Sequence, residues 1–342
     1  MHVFAPARRS HSHSRHPRRR GLFAACATVA LGLCAPLAQA QAQGSGYPNK
    51  PITLVVPFPA GGPTDASARL FAKSIGNTLG QPIVVDNRGG AAGTVGSGFV
   101  ARSQPDGYTL LWGGTSTLAV APGLYKNLKY DARSFVPVGM ALRGPLMLAG
   151  KPGLEAGDLK ALLAMARKGE LTVGTAGNGS IGHLATAYLS EVAGVKFTHV
   201  PYRGGGPAIT DALGGQIDLV FDTAAALYPF VKSGKLHAYA VTGSAPYAPA
   251  PDVPTVKAAL GKNYEAYSWF GLVAPAGTPP AAVQKLVAAM AAASQAREVR
   301  DELANTGVEP GVPTAREFSQ VVQSDYTKWS GTIARNNVKA DD

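Results

Sequence analysis

Cysteine is almost missing from this chain: there are two in 342 residues, Cys26 and Cys34, both within the first forty. Beyond them no disulfide and no thiolate metal site can form, which suits an oxidising compartment and excludes a cysteine-stapled scaffold. Histidine is nearly as scarce. Four of the seven (His2, His11, His13, His16) share the same N-terminal stretch, leaving His183, His199 and His237. Three scattered imidazoles offer no H-E-x-x-H or other metal spacing, so no metal is expected. Past residue 40 no serine stands in a G-x-S-x-G elbow, and a hydrolase of that kind has no nucleophile. Charged residues make up only 15% of the chain, and its long apolar run, Gly21 to Leu37, lies near the N-terminus.

That run belongs to a targeting segment. Arg8, Arg9, Arg15, Arg18, Arg19 and Arg20 precede it with no acid among them, and Ala38-Gln39-Ala40 follows in the small-x-small form of a signal-peptidase site. A signal peptide over residues 1–40 is therefore expected, cut after Ala40 or Ala42, with export to the periplasm. An uncleaved span would be short, neither cysteine has a well-formed lipoprotein box, and Arg19-Arg20-Gly21-Leu22-Phe23 matches a twin-arginine signal only loosely, which favours ordinary secretion. Without the leader the formal charge falls from +11 to 11 − 6 = +5, so nucleic acid is a poor partner. The 342 − 40 = 302 residues left are enough for two lobes with their own cores.

What those residues do contain is organised around Pro57-Phe58-Pro59-Ala60-Gly61-Gly62-Pro63-Thr64-Asp65. The turn joins an apolar strand, 52–58, to a helix-period segment, 65–79. A strand that enters a helix through such a turn aims the first free backbone N–H groups at whatever lies above the sheet edge, and those groups prefer an anion. A second turn of this kind, Thr175 to His183, links a strand at 171–175 to a helix at 181–193. Two facing helix starts point to one ligand held between two lobes.

The order of elements agrees. Strands at 52–58, 82–87 and 108–112 alternate with helices at 65–79 and 93–103, and a strand at 136–142 leads to an exit at Gly144-Pro145. A second series has strands at 171–175, 196–202, 217–221 and 236–242 with helices at 181–193, 207–213 and 224–233. Alternation argues parallel sheets with right-handed crossovers. Arg88-Gly89-Gly90 and Arg203-Gly204-Gly205 each close the second strand of their series, and Gly62 and Gly177 also stand 115 residues apart. A proline-rich crossing at 244–252 returns to a strand at 268–273 and to helices at 280–295, 298–304 and 314–335, the last with a Thr314/Glu317 capping box. The expected fold is α/β, with two doubly wound sheets in two lobes joined by a hinge of two crossings: 47–144 with 244–342, and 145–243.

At this level of detail the chain resembles the extracytoplasmic receptors of the tripartite tricarboxylate transporter group, also called the Bordetella uptake gene family. The blocks that carry the resemblance run almost end to end: YPNKPITLVVPFPAGGPTD, LGQPIVVDNRGGAAG, PDGYTLLWG, AGNGSIGHL, FTHVPYRGGGPAITDALGGQIDLVFD, LHAYAVTG, DVPTV and SWFGLVAPAGTPP. The resemblance implies a type II periplasmic binding protein, a Venus-flytrap clamshell that closes on a small carboxylate and hands it to a membrane permease. It implies no catalysis and no cofactor, and a monomer is expected. The ligand contacts it implies come from loops of both lobes: Phe58, Pro59, Ala60, Gly61, Gly62, Thr64 and Asp65, with Thr115, Ser116 and Thr117; then Gly177, Asn178, Gly179, Ser180 and His183, Tyr202, Arg203, Gly204 and Gly205, and Asp222 with Thr223. One departure is that this loop has Ala60 and Pro63 where relatives commonly have proline and then glycine, and Pro63 has no N–H to donate.

Each of these residues also has a purely structural reading. The glycines can simply turn the chain, Asp65 and Ser180 can cap helices, His183 can bond a carbonyl of the first turn, and Arg203 can be a solvated cation instead of a carboxylate clamp. Trp269 and Phe270 read as hinge or core. A rival of another class is an exported NADP-dependent oxidoreductase, because Gly177-Asn178-Gly179-Ser180-Ile181-Gly182 satisfies G-x-G-x-x-G between a strand and a helix. The acid expected about twenty residues on is absent between Glu191 and Asp211, although Arg203 could take a 2′-phosphate. A binding module that feeds a membrane sensor would need the same clamshell. Organic, amino and aromatic acids all remain open as ligands.

Overall fold

The computed structural model describes residues 46–340 apart from 132, 133, 170 and 313. The signal peptide expected at 1–40 and both cysteines lie outside the described residues.

The strand Ile52–Val56 (β1) forms from the apolar, β-branched run ITLVV and is buried along almost its whole length. It pairs in parallel with Ile83–Asn87 (β2) on one side and Thr109–Gly114 (β3) on the other. Helix Pro63–Leu79 (α1) makes the first crossover and Thr94–Ala101 (α2), after a 3-10 turn at Ala91–Gly93, the second. A π-helical turn, Thr115–Val120, and a short helix, Ala121–Leu124 (α3), then lead to the long strand Phe135–Gly150 (β4). The second series follows: Leu159–Lys168 (α4), Leu171–Thr175 (β5), Ile181–Ala193 (α5), Phe197–Pro201 (β6), Gly205–Leu213 (α6), Leu219–Thr223 (β7), Ala224–Lys232 (α7) and His237–Val241 (β8). The chain returns through Val256–Leu260 (α8), Tyr267–Pro275 (β9), Pro280–Gln295 (α9), Arg297–Asn305 (α10), Glu309–Pro310 (β10) and Ala315–Asn336 (α11).

The path β2-β1-β3-β9-β4-β7-β5-β6, with β10 and β8 also on β4, joins all ten strands. β1, β2 and β3 are parallel, as are β5, β6 and β7, but β9 runs antiparallel to β3 and β4, and β7 and β8 run antiparallel to β4. The alternation of elements had argued parallel sheets; that holds within each set of three, and the strands that break it, β4 and β9, are the two that lie between the sets. Nor does β4 stop at Gly144-Pro145. Residues 135–145 pair with β9, then Leu146 to Gly150 pair with β7 and Met147 to Gly150 with β8. Pro145, which cannot donate to a ladder, sits where the strand changes partners and so costs no regular bond.

Each half has its own apolar packing. Ile52, Leu54 and Val56 meet Phe71 and Ile75 of α1, Trp112 of β3 and Leu286 of α9. In the other half, Met147 and Val220 meet Ala208, Ile209 and Leu227. A third cluster joins Phe318, Trp329 and Ile333 of α11 to Leu118, Val120, Leu184 and Trp269. The last helix thus touches elements of both halves, and Arg335 Nε adds a 2.8 Å ion pair to Glu191 of α5. Its N-terminus carries the expected capping box: Glu317 N donates to Thr314 Oγ1 at 3.1 Å, and Thr314 N donates to Glu317 Oε2 at 3.2 Å.

Candidate ligand-binding site

Above the carboxyl ends of β1, β5, β6 and β7 lies a cavity of about 660 Å³. Its walls come from both series of elements. The loop from Phe58 to Thr64 supplies one side, and Ser180, Arg203, Gly204, Gly205, Asp222 and Thr223 supply the facing side.

The start of α1 is open. Gly62 occupies the N-cap position without a side chain to close the helix, and Pro63 is the first helical residue, where its missing N–H is no loss. Gly61 takes φ = 81°, a conformation that favours glycine. Asp65 anchors the loop from behind: its Oδ2 accepts from Gly61 N at 2.9 Å and Arg69 Nε at 3.0 Å, and its Oδ1 from Asn87 Nδ2 at 3.0 Å. Burial works to raise its pKa, but Arg69, the Gly61 N–H and Asn87 outweigh it and hold the carboxyl below its ordinary range. The same Asn87 amide donates to Phe58 O at 3.1 Å, so β2 and α1 together fix the loop.

The start of α5 is closed. His183 N donates to Ser180 Oγ at 3.3 Å, and Ile181 N donates to Ser116 Oγ, reaching across from the first half, at 3.0 Å. Behind them Ser180 Oγ donates to Thr175 Oγ1, which lies 2.7 Å from His199 Nε2. The His183 and His199 rings stack with centroids 3.7 Å apart, and His183 Nδ1 accepts from Gly179 N at 3.2 Å. Burial, with His183 close by, pushes the His199 imidazole down to about 3.

The starts of α6 and α7 are open again, since neither Gly204 nor Thr223 provides a side-chain cap. A side chain on Gly205 would bring its Cβ to 2.0 Å from Asp222 Oδ2, so any larger residue there would have to displace the Asp222 carboxyl. Asp222 Oδ1 accepts from Thr223 N at 2.7 Å, and its enclosed setting pushes the carboxyl up to about 6. Tyr202 OH donates to Asp211 Oδ2 at 2.7 Å; burial and that carboxylate push the phenol up to about 12.

Of the residues expected at the site, Phe58, Pro59, Ala60, Gly61, Gly62, Thr64, Ser116, Ser180, Arg203, Gly204, Gly205, Asp222 and Thr223 line the cavity. The others stand outside its lining. Asp65, His183 and Tyr202 are engaged as described, Gly177 takes φ = 123° and Gly179 φ = 75° in the turn, and Asn178 O accepts from Tyr125 OH at 3.0 Å. Thr115 Oγ1 accepts from Trp269 N at 2.9 Å, and Thr117 Oγ1 donates to Gly114 O at 3.1 Å. Trp269 is buried core, whereas Phe270, read the same way from sequence, reaches the cavity. Leu70, Leu142, Leu303 and Val308 also line it, together with Glu298 and Glu302. No local signal marks these; they arrive from α1, β4, α10 and the turn after α10 only when the sheet is assembled.

Fold and cavity together define a solute-binding protein with its pocket between two sets of helix starts. Residues 67–338 match the family model described as the tripartite tricarboxylate transporter family receptor. A relative from Agrobacterium vitis, a UPF0065 protein in the TAR-I ttuE-ttuC' intergenic region, is 42% identical over 301 residues, covering 86% of this chain and 85% of that one. A Rhodopseudomonas palustris protein solved with adipate is similar at 32% identity and a TM-score of 0.81, over 86% of this chain and 99% of that one. MatC from the same organism, with bound malate, is similar at 34% identity and a TM-score of 0.78, over 84% of this chain and 100% of the other. The chain belongs to the family of tripartite tricarboxylate transporter receptors.

Proposed function

We propose that this chain is a periplasmic receptor that captures a small carboxylate between two lobes and delivers it to a membrane permease of the tripartite tricarboxylate type. The observation that carries the reading is the set of uncapped helix starts, α1 from one half and α6 and α7 from the other, on the walls of a single cavity with Arg203 among them. Helix starts and a guanidinium suit a carboxylate, and the two solved relatives hold adipate and malate.

The lobes are residues 47–144 with 244–342, and residues 145–243. Two crossings lie side by side between them. Leu146 N, just past the point where β4 changes partners, donates to Thr242 Oγ1 at 2.7 Å, and Thr242 Oγ1 donates to Ala266 O at 2.6 Å on the returning chain. A carboxylate that contacts both sets of helix starts has its full set of contacts only when the lobes close, so binding shifts the population toward the closed form. The protein acts as a monomer, is exported by a cleaved signal peptide and performs no catalytic step. The NADP reading has little to stand on: of Gly177, Gly179 and Gly182, only Gly182 lines the cavity.

A thermal-shift screen of the chain from Gln41 onward tests this, using organic, amino and aromatic acids and NADP. A carboxylate at a hundred times its dissociation constant should stabilise the protein by about 2.7 kcal/mol. Stabilisation by NADP alone would replace the receptor reading with the oxidoreductase.

A further inference from the structure

We propose that the ligand is a monocarboxylate with an apolar body, a medium-chain or aromatic acid, and not a short di- or tricarboxylate; the proposal rests on the receptor reading above. It comes from the two unlike ends of the cavity. One end is the anion cradle of backbone N–H groups with Arg203. The other described residues on the lining whose side chains carry a charge are carboxylic acids: Asp222 beside the cradle, and Glu298 and Glu302 on α10. Glu298 has an outside partner, Lys73 Nζ at 2.7 Å, but among the described residues no lysine and no second arginine lines the cavity. A ligand carrying a second carboxylate would therefore bring it to a wall that holds acids and offers no cation, and would lose water for no charge partner.

What that wall does offer is apolar surface from four elements and a turn. Leu70 of α1, Leu142 of β4, Phe270 of β9, Leu303 of α10 and Val308 after α10 all contribute to it. Register explains part of the convergence, since Leu142 and Phe270 are paired across β4 and β9. Phe58, on the loop of the cradle itself, meets Phe270 edge to face with ring centroids 6.4 Å apart. The aromatic pair thus links the anion end to the apolar end, in the order head group then body. A cavity of about 660 Å³ leaves room for such a body, which a four-carbon diacid would not fill.

Isothermal titration at pH 7.5 with butanoate, hexanoate, octanoate and phenylacetate, set against adipate, malate and citrate, decides the matter. Each added methylene buried in the apolar end should tighten binding by about fourfold. Hexanoate should also bind more tightly than adipate, which has the same carbon count and one more charge. In the variant Val308→Asp the gain from butanoate to octanoate, read as the ratio of the two affinities, should vanish; should that variant not fold, the wild-type series decides alone. A flat series, or tighter binding of adipate or malate than of hexanoate, overturns this proposal and leaves the receptor standing. Binding of none of the seven acids overturns this proposal, and the receptor reading falls with it only if the wider thermal-shift screen is silent as well.

Discussion

The turn from β1 into α1 and the turn from β5 into α5 look alike in sequence and are built for different work. Both follow a buried strand, both are rich in glycine, and both open a helix above the same cavity. At α1 the N-cap is Gly62, which leaves the first-turn N–H groups of Thr64 and Asp65 without a side-chain partner. At α5 the N–H groups of Ile181 and His183 are taken up by Ser116 and Ser180. One helix start is left without a side-chain cap, as the proposed ligand contact requires, and the other is spent on a bond between the halves. The lesson is that a helix start is an anion site only if the protein has not already satisfied it.

Substitutions can break this comparison from either side. The largest effect should come from Gly182→Val, because a Cβ there would lie 2.4 Å from the carbonyl oxygen of Phe221. The helix would have to move off β7, and urea unfolding should show a loss of about 3 kcal/mol. Gly62→Val is the counterpart on the open side. Its Cβ would meet nothing closer than Pro59 O at 3.8 Å, and its φ of −86° suits any residue. Stability should change by no more than about 0.5 kcal/mol, while bulk above the free N–H groups should weaken ligand binding about tenfold, near 1.4 kcal/mol. Unchanged affinity in a calorimetric titration would remove that loop from the site. Ser180→Ala should cost about 1 kcal/mol of stability through loss of the cap, a smaller effect that sharpens the contrast, since α1 has no cap to lose.

The mildest perturbation near neutrality is pH. His199 is pushed down to about 3 in the folded protein from an ordinary 6.5, so the unfolded chain takes up the proton first. Stability is fully present above about pH 6.5 and should fall as pH drops toward 3. Asp222 works the other way: its pKa is raised from 3.8 to about 6, so the cost of its buried charge is relieved between those values. Thermal unfolding across pH 7.5 to 4 should therefore show a shallow loss, flatter in His199→Gln and steeper in Asp222→Asn. Identical slopes in all three proteins would show that neither group is the cause.

Much of the fold could be read from local pattern. The strands of the two parallel sets, the helices that connect them and the Thr314 capping box all rest on signals within a few residues. Non-local pairing could not be read that way. That β4 continues through a proline, that β9 lies between β3 and β4, and that β8 shares β4 with β7 depend on partners about a hundred residues away. The site divides along the same line. Residues of the site loops were visible as turns, yet Tyr202 and His183 differ from Arg203 and Ser180 in which way the folded chain turns them.

Sequence alone determined the kind of chain this is: a cysteine-poor α/β protein with anion-seeking turns placed after its strands, because composition and periodicity act locally. Tertiary structure alone decided what those turns are for. Whether an N–H is free depends on Ser116 arriving from the other half, and whether the cavity is apolar depends on Leu142, Phe270 and Val308 converging from distant segments. Both are outcomes of packing, which no single segment encodes.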